Sequence, residues 1–170
     1  MIDQMKWLTE QRNFATIALT WAIFSGVLPV QAQEKPKLYT EGHSQVHGGN
    51  IMVTETGQID AYDGANVSAY NNAVVNAYDN CSVEAHDYSE IHAIARAKVI
   101  AQDKTNVDAI DQTDIDASGN ATINAKNEAT VIGHGNAAIF LKGHSKAKVY
   151  DNCSVYAEGN ATVEAYGSAT

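Results

Sequence analysis

Residues 161–168 read Ala-Thr-Val-Glu-Ala-Tyr-Gly-Ser, and the same eight-residue phrase stands at Ala65 (Ala-Asn-Val-Ser-Ala-Tyr-Asn-Asn) and at Thr113 (Thr-Asp-Ile-Asp-Ala-Ser-Gly-Asn). Fourteen complete octads run without a gap from Gly57 to Ser168, and Gly49–Thr56 is a weaker fifteenth. A fixed period of this kind decides the architecture before any local propensity does. Position three is Val or Ile almost throughout (Ile59, Val67, Val75, Val83, Ile91, Val99, Val107), position five is almost always Ala, and position one is small. Positions two, four and six carry Asn, Asp, Glu, Lys, Thr and Tyr. Apolar residues at every second place make a half-buried strand, and no helical period fits. Positions seven and eight are mostly Asp, Asn, Gly or Ser, which tolerate left-handed backbone and turn the chain.

One such strand cannot bury its apolar row alone, so successive octads coil and stack. The expected fold is therefore an all-β, parallel β-solenoid. Charge pairing sets the coil length. With two octads (16 residues) per coil, Lys98 lies beside Asp114, Lys142 beside Glu158, Lys148 beside Glu164 and His92 beside Asp108, against one clash of Lys126 with Lys142. Three octads per coil would oppose Asp60 to Glu84, Glu84 to Asp108 and Glu90 to Asp114. Like charges directly opposed across a parallel pair are unfavourable, so two octads per coil is the expectation.

The inward pattern supports the same choice. It breaks only at 137–152, where position five becomes Leu141 and then Val149, and position three becomes Ala147. In a flat two-sided coil, position five of one octad faces position three of the next. Leu141 then faces Ala147 and Ile139 faces Val149, an exchange of large for small that conserves core volume.

Outward from the repeat, Lys6 and Arg12 precede an apolar run, Phe14 to Val30, and Val30-Gln31-Ala32 offers a small-residue cleavage site. Residues 1–32 are expected to be a secretory signal peptide, and the only membrane association expected is through it. The run is somewhat short of the ~20 residues a spanning helix needs. Residues 33–48 read as a polar leader or N-terminal cap, and 49–170 as the solenoid. His43 and His47 have the spacing that pairs metal ligands on a helix, but Gly42, Gly48 and Gly49 oppose a helix, and a flexible polar segment is expected instead. The net charge of −9 disfavours nucleic acid, which selects basic stripes. Trp7 and Trp21 leave with the leader, and the remaining core is thin, built of Val, Ile and Ala.

Candidate chemistry is sparse. Cys81 and Cys153 occupy position one of identical words, Asp-Asn-Cys-Ser-Val, some four and a half coils or roughly 20 Å apart, beyond the ~7 Å Cα reach of a disulfide. Asn-x-Ser/Thr at Asn66, Asn80, Asn120, Asn152 and Asn160 is generated by the repeat itself. Corner carboxylates form two rows, Asp63, Asp79 and Asp111 on one edge and Asp87, Asp103 and Asp151 on the other. They are the candidate Ca²⁺ ligands, as in Ca²⁺-binding β-rolls, but the period is eight and Ala95, Gly119, Gly135 and Gly143 interrupt the rows. His92 and Asp108, with Asn124 next along, make a cross-strand pair without a nucleophile or a cleft. Thr122, Thr130 and Thr162 form no regular lattice of the kind that binds ice. Tyr62 and Tyr78 lie in an aromatic row and are the candidate ligand face for stacking on sugar rings.

The words Ala-Thr-Val-Glu-Ala-Tyr-Gly-Ser and Asn-Ala-Thr-Ile-Asn-Ala resemble the octapeptide repeats of secreted or surface β-solenoid proteins of bacteria and their phages, over about two-thirds of the chain. The resemblance implies an architecture and carries no residue roles. The function expected is that of a secreted or cell-surface structural or adhesive module, a spacer or fibre segment without catalysis or cofactor. Its rival is a module binding Ca²⁺ or a surface glycan. The last octad is among the most regular of all, without a cap, so the expectation is either end-to-end self-association through the C-terminal coil or that the sequence is a fragment of a longer array.

Overall fold

The computed structural model describes residues 35–170, and the expected signal peptide lies outside the described residues. Seventeen short strands follow one another from β1 (Lys37–Tyr39) and β2 (His43–His47) to β16 (Ser154–Ala157) and β17 (Thr162–Ala165). Odd-numbered strands form one nine-stranded sheet and even-numbered strands an eight-stranded one, every neighbour parallel. Each octad contributes positions two to five as a strand, as in β5 (Asn66–Ala69), β9 (Lys98–Ala101) and β14 (Ala138–Leu141). From β3 (Asn50–Val53) upward the register is sixteen residues, as in Val67 on Val83 and Ile123 on Ile139. The chain is a β-solenoid with two octads per coil, some eight rungs or ~40 Å of rod at the sheet spacing.

One continuous core lies between the two sheets. Ile59, Ile91, Ile123, Val75 and Val107 at position three and Ala61, Ala77 and Ala93 at position five are fully buried. Gly133, at position five, shows how the sheets face each other: a Cβ there would lie 2.6 Å from Ile139 Cδ1, on the strand that follows across the core. Position five thus meets position three of the next octad, as the sequence pattern requires.

The corners are as regular as the strands. Position seven takes a positive φ in every coil, whether it is Asp63 (56°), Asn71 (59°), Asp87 (58°), Ala95 (68°) or Gly119 (70°). The position-one amide then donates to the position-six carbonyl, as in Ala73 N to Tyr70 O (3.2 Å). Corner amides also continue the ladder to the coil below, as in Tyr88 N to Asn71 O (3.0 Å).

The solenoid begins earlier than the octads suggest. Residues 37–47, expected to be a leader with a flexible His43–His47 segment, supply the first coil as strands. Ser44 stacks on Ile59 and Val46, which is buried, stacks on Ala61. Gly42 (φ 75°) and Gly48 (φ 64°) turn the backbone on either side. This coil is shorter, with fifteen residues from Ser44 to Ile59 and fourteen from Lys37 to Ile51. The period therefore slips there, and an eight-residue reading loses the strands.

Candidate functional site

The outer surface is a set of axial rows, each carrying one octad position, with rungs ~4.8 Å apart. On the corner rows the carboxylates have a structural task. The position-seven amide is one that the coil-to-coil backbone ladder leaves without an acceptor at Asn71, Asp87 and Gly135. The Asp one coil further on supplies it. Asn71 N donates to Asp87 Oδ2 (3.0 Å), Asp87 N to Asp103 Oδ2 (3.3 Å) and Gly135 N to Asp151 Oδ2 (3.0 Å). On the other edge Asp63 pairs with His47 Nδ1 (2.7 Å), and Asp111 accepts from Asn127 Nδ2 (2.8 Å). Among the described residues, no three His, Cys, Asp or Glu side chains are grouped as a metal site. The six candidate Ca²⁺ ligands, Asp79 included, stay spread along two edges.

His43 and His47 do not converge either. Four residues along a strand is ~13 Å; His43 Nε2 lies 2.9 Å from Asp60, whereas His47 pairs with Asp63. Asp60 is 9% exposed. Its burial would raise the carboxyl pKa, but hydrogen bonds from Asn76 (2.7 Å) and His43 outweigh this and hold it below the ordinary value. The same row continues through His92, 3.7 Å from Asp108, and Asn124, whose Nδ2 donates to Asp108 (2.8 Å). His92 also lies 3.4 Å from Glu90.

Tyr62 and Tyr78 are placed together, but not as an open face. Their rings stack at 4.7 Å and 5°, and His47 covers the other side of Tyr62 at 5.2 Å and 18°. Burial is the largest influence raising the Tyr62 phenol pKa, followed by the charge of Asp60. Further stacks join Tyr70 to His86 (4.8 Å, 3°) and His134 through Tyr150 to Tyr166 (4.9 and 5.2 Å). Position-six rings one coil apart fall at stacking distance because the rung spacing is itself the thickness of a ring pair. His86 Nε2 is 3.4 Å from Glu84, close enough for attraction, yet is not aligned for a hydrogen bond and is otherwise unpartnered.

Cys81 and Cys153 are buried free thiols at position one, and burial pushes the Cys81 thiol pKa up. Three of the five sequon asparagines belong to axial ladders: Asn66 donates to Asn50 (3.3 Å), Asn136 donates to Asn120 (3.5 Å), and Asn160 pairs with His144 (3.3 Å).

The surface relief is shallow. One notch sits on the corner where Ala95 interrupts the Asp row, bordered by Arg96, Asp111, Gln112 and Glu128. One groove crosses the outer face of the odd-numbered sheet between the exposed Ile100 and Ile132. A third feature, absent from the sequence reading, is the pair of exposed rings Phe140 and Tyr156 on the even-numbered sheet. Its signal was present, since both replace polar residues at position four, sixteen apart. No family model, curated protein or solved structure matches the chain.

Proposed function

We propose that the chain is a secreted or cell-surface structural module, a stiff spacer or fibre segment that extends through its C-terminal coil. One observation carries this reading. Most of the side-chain to side-chain hydrogen bonds among the described residues, ten in all, join residues sixteen apart, along the axis. The polar outer groups are committed to neighbouring coils, which gives lateral stiffness and leaves little free to act on a substrate. Among the described residues the coils follow one another without a long insert, which supports the non-catalytic reading. Export rests on the basic-then-apolar leader, and the acidic balance suits an extracellular, soluble rod.

Extension rests on the last coil. Val163, at an inward position, is 37% exposed, and Ala157 and Ala165 beside it are exposed too, whereas their counterparts Ala125 and Val149 one or two coils below are buried. β16 and β17 each pair on one side only, with β14 and β15 (Lys146–Val149). An open apolar row flanked by unpaired strand edges accepts another coil, supplied by a second copy or by further octads of a longer array. Head-to-tail contacts that do not close build filaments.

Sedimentation of the chain over a range of concentrations tests this. Mass should rise with concentration, and Val163→Glu should return it to monomer. A monomer at every concentration would remove the assembly half of the proposal. Small-angle scattering that shows no rod-like cross-section would remove the spacer half.

A further inference from the structure

Among the paired aromatic residues of the rod, Phe140 and Tyr156 behave differently from the rest. The edge stacks hold their rings at 4.7–5.2 Å and within 18° of parallel, so that each ring covers its neighbour's face. Phe140 and Tyr156 sit on adjacent rungs of the flat even-numbered sheet, yet their centroids are 6.5 Å apart and their planes 50° apart. Neither ring shields the other, and they are 40% and 56% exposed.

The surroundings of the pair add two features. On one side, at position two of the same strands, stand Ala138 and Ser154, too small to wall the rings in. On the other, at position six, Lys142 Nζ pairs with Glu158 Oε2 at 3.2 Å, and Tyr156 Oη donates to Glu158 Oε1 at 3.1 Å. The hydrogen bonds from Lys142 and Tyr156 hold the Glu158 carboxyl below its ordinary pKa, so it stays a charged acceptor. Asn124 lies in register beneath Phe140 and continues the row with an amide. The result is an open shelf: apolar ring faces in the middle, donors and acceptors along one margin and at one end.

We propose that this shelf binds an extended β-1,4-linked hexopyranose chain lying along the solenoid axis. The face of an aromatic ring carries partial negative charge, and a pyranose in that linkage presents a face of axial C–H groups, weakly positive and apolar. Its equatorial hydroxyls project sideways, towards the Lys142–Glu158 pair and Asn124. The sugar repeat along such a chain is longer than one rung of the sheet and shorter than the 6.5 Å between the two ring centroids, so successive sugars meet Phe140 and Tyr156 in turn once the two exposed rings turn towards the chain. A helically coiled α-linked glucan cannot keep that register. Tyr62, with both faces covered, and Tyr78, with one face on Tyr62, take no part. The proposal does not require end-to-end assembly, because both rings face outward from the sheet, although Tyr156 stands on β16 beside the assembly edge.

The test is a titration of the full chain with cellohexaose, N-acetylchitohexaose and, as the α-linked control, maltohexaose, followed by heteronuclear NMR and calorimetry. At least one β-linked probe should shift the amides of β14 and β16 and release heat, while maltohexaose does neither. Phe140→Ala with Tyr156→Ala should weaken binding at least about tenfold. Tyr156→Phe should retain it, and so should Tyr62→Ala. Both aromatic positions are on the outer surface, and circular dichroism of each variant should match the parent. The proposal is overturned if neither β-linked probe shifts those amides at millimolar concentration. It is equally overturned if maltohexaose binds as well as they do, or if the double variant abolishes self-association while leaving sugar binding unchanged.

Discussion

Ala95 shows how much the corner asks of one residue. Position seven is left-handed in each coil, and left-handed backbone costs an L-residue with a Cβ roughly 1–2 kcal/mol, less for Asn and Asp. At φ 68° Ala95 bears that cost without a side chain to offset it, between Asp79 below and Asp111 above. Asn127 shows the better solution, donating its amide to Asp111. Ala95→Asn should therefore stabilise the rod by about 1 kcal/mol, seen as a higher urea midpoint, and Ala95→Val should lower it. Unsatisfied hydroxyls offer a second residue-scale test. Thr105 and Thr113 are fully buried at position one with no hydrogen-bond partner, whereas Ser89 at the same position donates to His86 O (2.8 Å). Replacing either Thr by the more usual Ala should be neutral or stabilising. Asp60 supplies the pH dependence. Its folded pKa is depressed, so the stability it contributes is fully present above the unfolded value of about 3.9 and is lost as pH falls through the lower folded value. Asp60→Asn should cost about 1 kcal/mol at neutral pH. The gap from the parent should close as pH falls through the lowered folded value; a gap that stays constant throughout the acid range would show that Asp60 acts through shape alone.

The exchange between β14 and β15 belongs to the scale of paired elements. Leu141 and Val149 bring bulk to position five, and Ala147 gives it up at position three; all three are buried. Leu141→Ala should cost about 2–5 kcal/mol, and enlarging Ala147 to Val should restore part of that, as a double-mutant cycle on denaturation midpoints would show. Zero coupling would mean that the two positions do not share a volume. A second compensation was hidden from the pattern: Val149 also sits one rung above Gly133, the one Gly at position five. A Cβ on Gly133 would lie 3.1 Å from Val149 Cγ1 as well as 2.6 Å from Ile139 Cδ1. Gly133→Ala should therefore destabilise by about 1 kcal/mol, at the low end for overpacking because Cδ1 can swing aside, and Ile139→Val should recover it. What could be read from the chain follows the same logic. Strand, corner, coil length and the pairs Lys142–Glu158 and His92–Asp108 were legible because they repeat at eight and sixteen. The first coil was not, since its fourteen- and fifteen-residue steps break the period around Val46. Nor was the closure of the Tyr62–Tyr78 face, because a row of rings in a sequence says nothing of whether their faces meet.

For the whole rod, each coil contacts only its neighbours, so stability is a sum over interfaces and the ends open first. The most exposed inward row lies in β16 and β17, where Val155 is half-buried and Val163 exposed, while β8 (Glu90–Ile94), β10 (Asn106–Ile110) and β12 (Thr122–Ala125) have a strand on both sides and buried inward residues. Amide exchange should accordingly be fastest in β16 and β17 and slowest in those central strands. Thr170 only begins to cover the edge, with its carbonyl accepting from Val155 N (2.7 Å) and its amide donating to Cys153 O (3.0 Å). If the terminal coil seats the first coil of a second copy, the newly paired amides are those of β16 and β17 and, on the other copy, of β1 and β2. Their protection should then rise with protein concentration while that of β8, β10 and β12 stays constant, and Val163→Glu should erase the concentration dependence without lowering protection at the centre. A uniform rise along the rod would instead indicate side-by-side association of the sheet faces. Protection of β16 and β17 that is indifferent to concentration would leave the coil open at its end and the rod a solitary one.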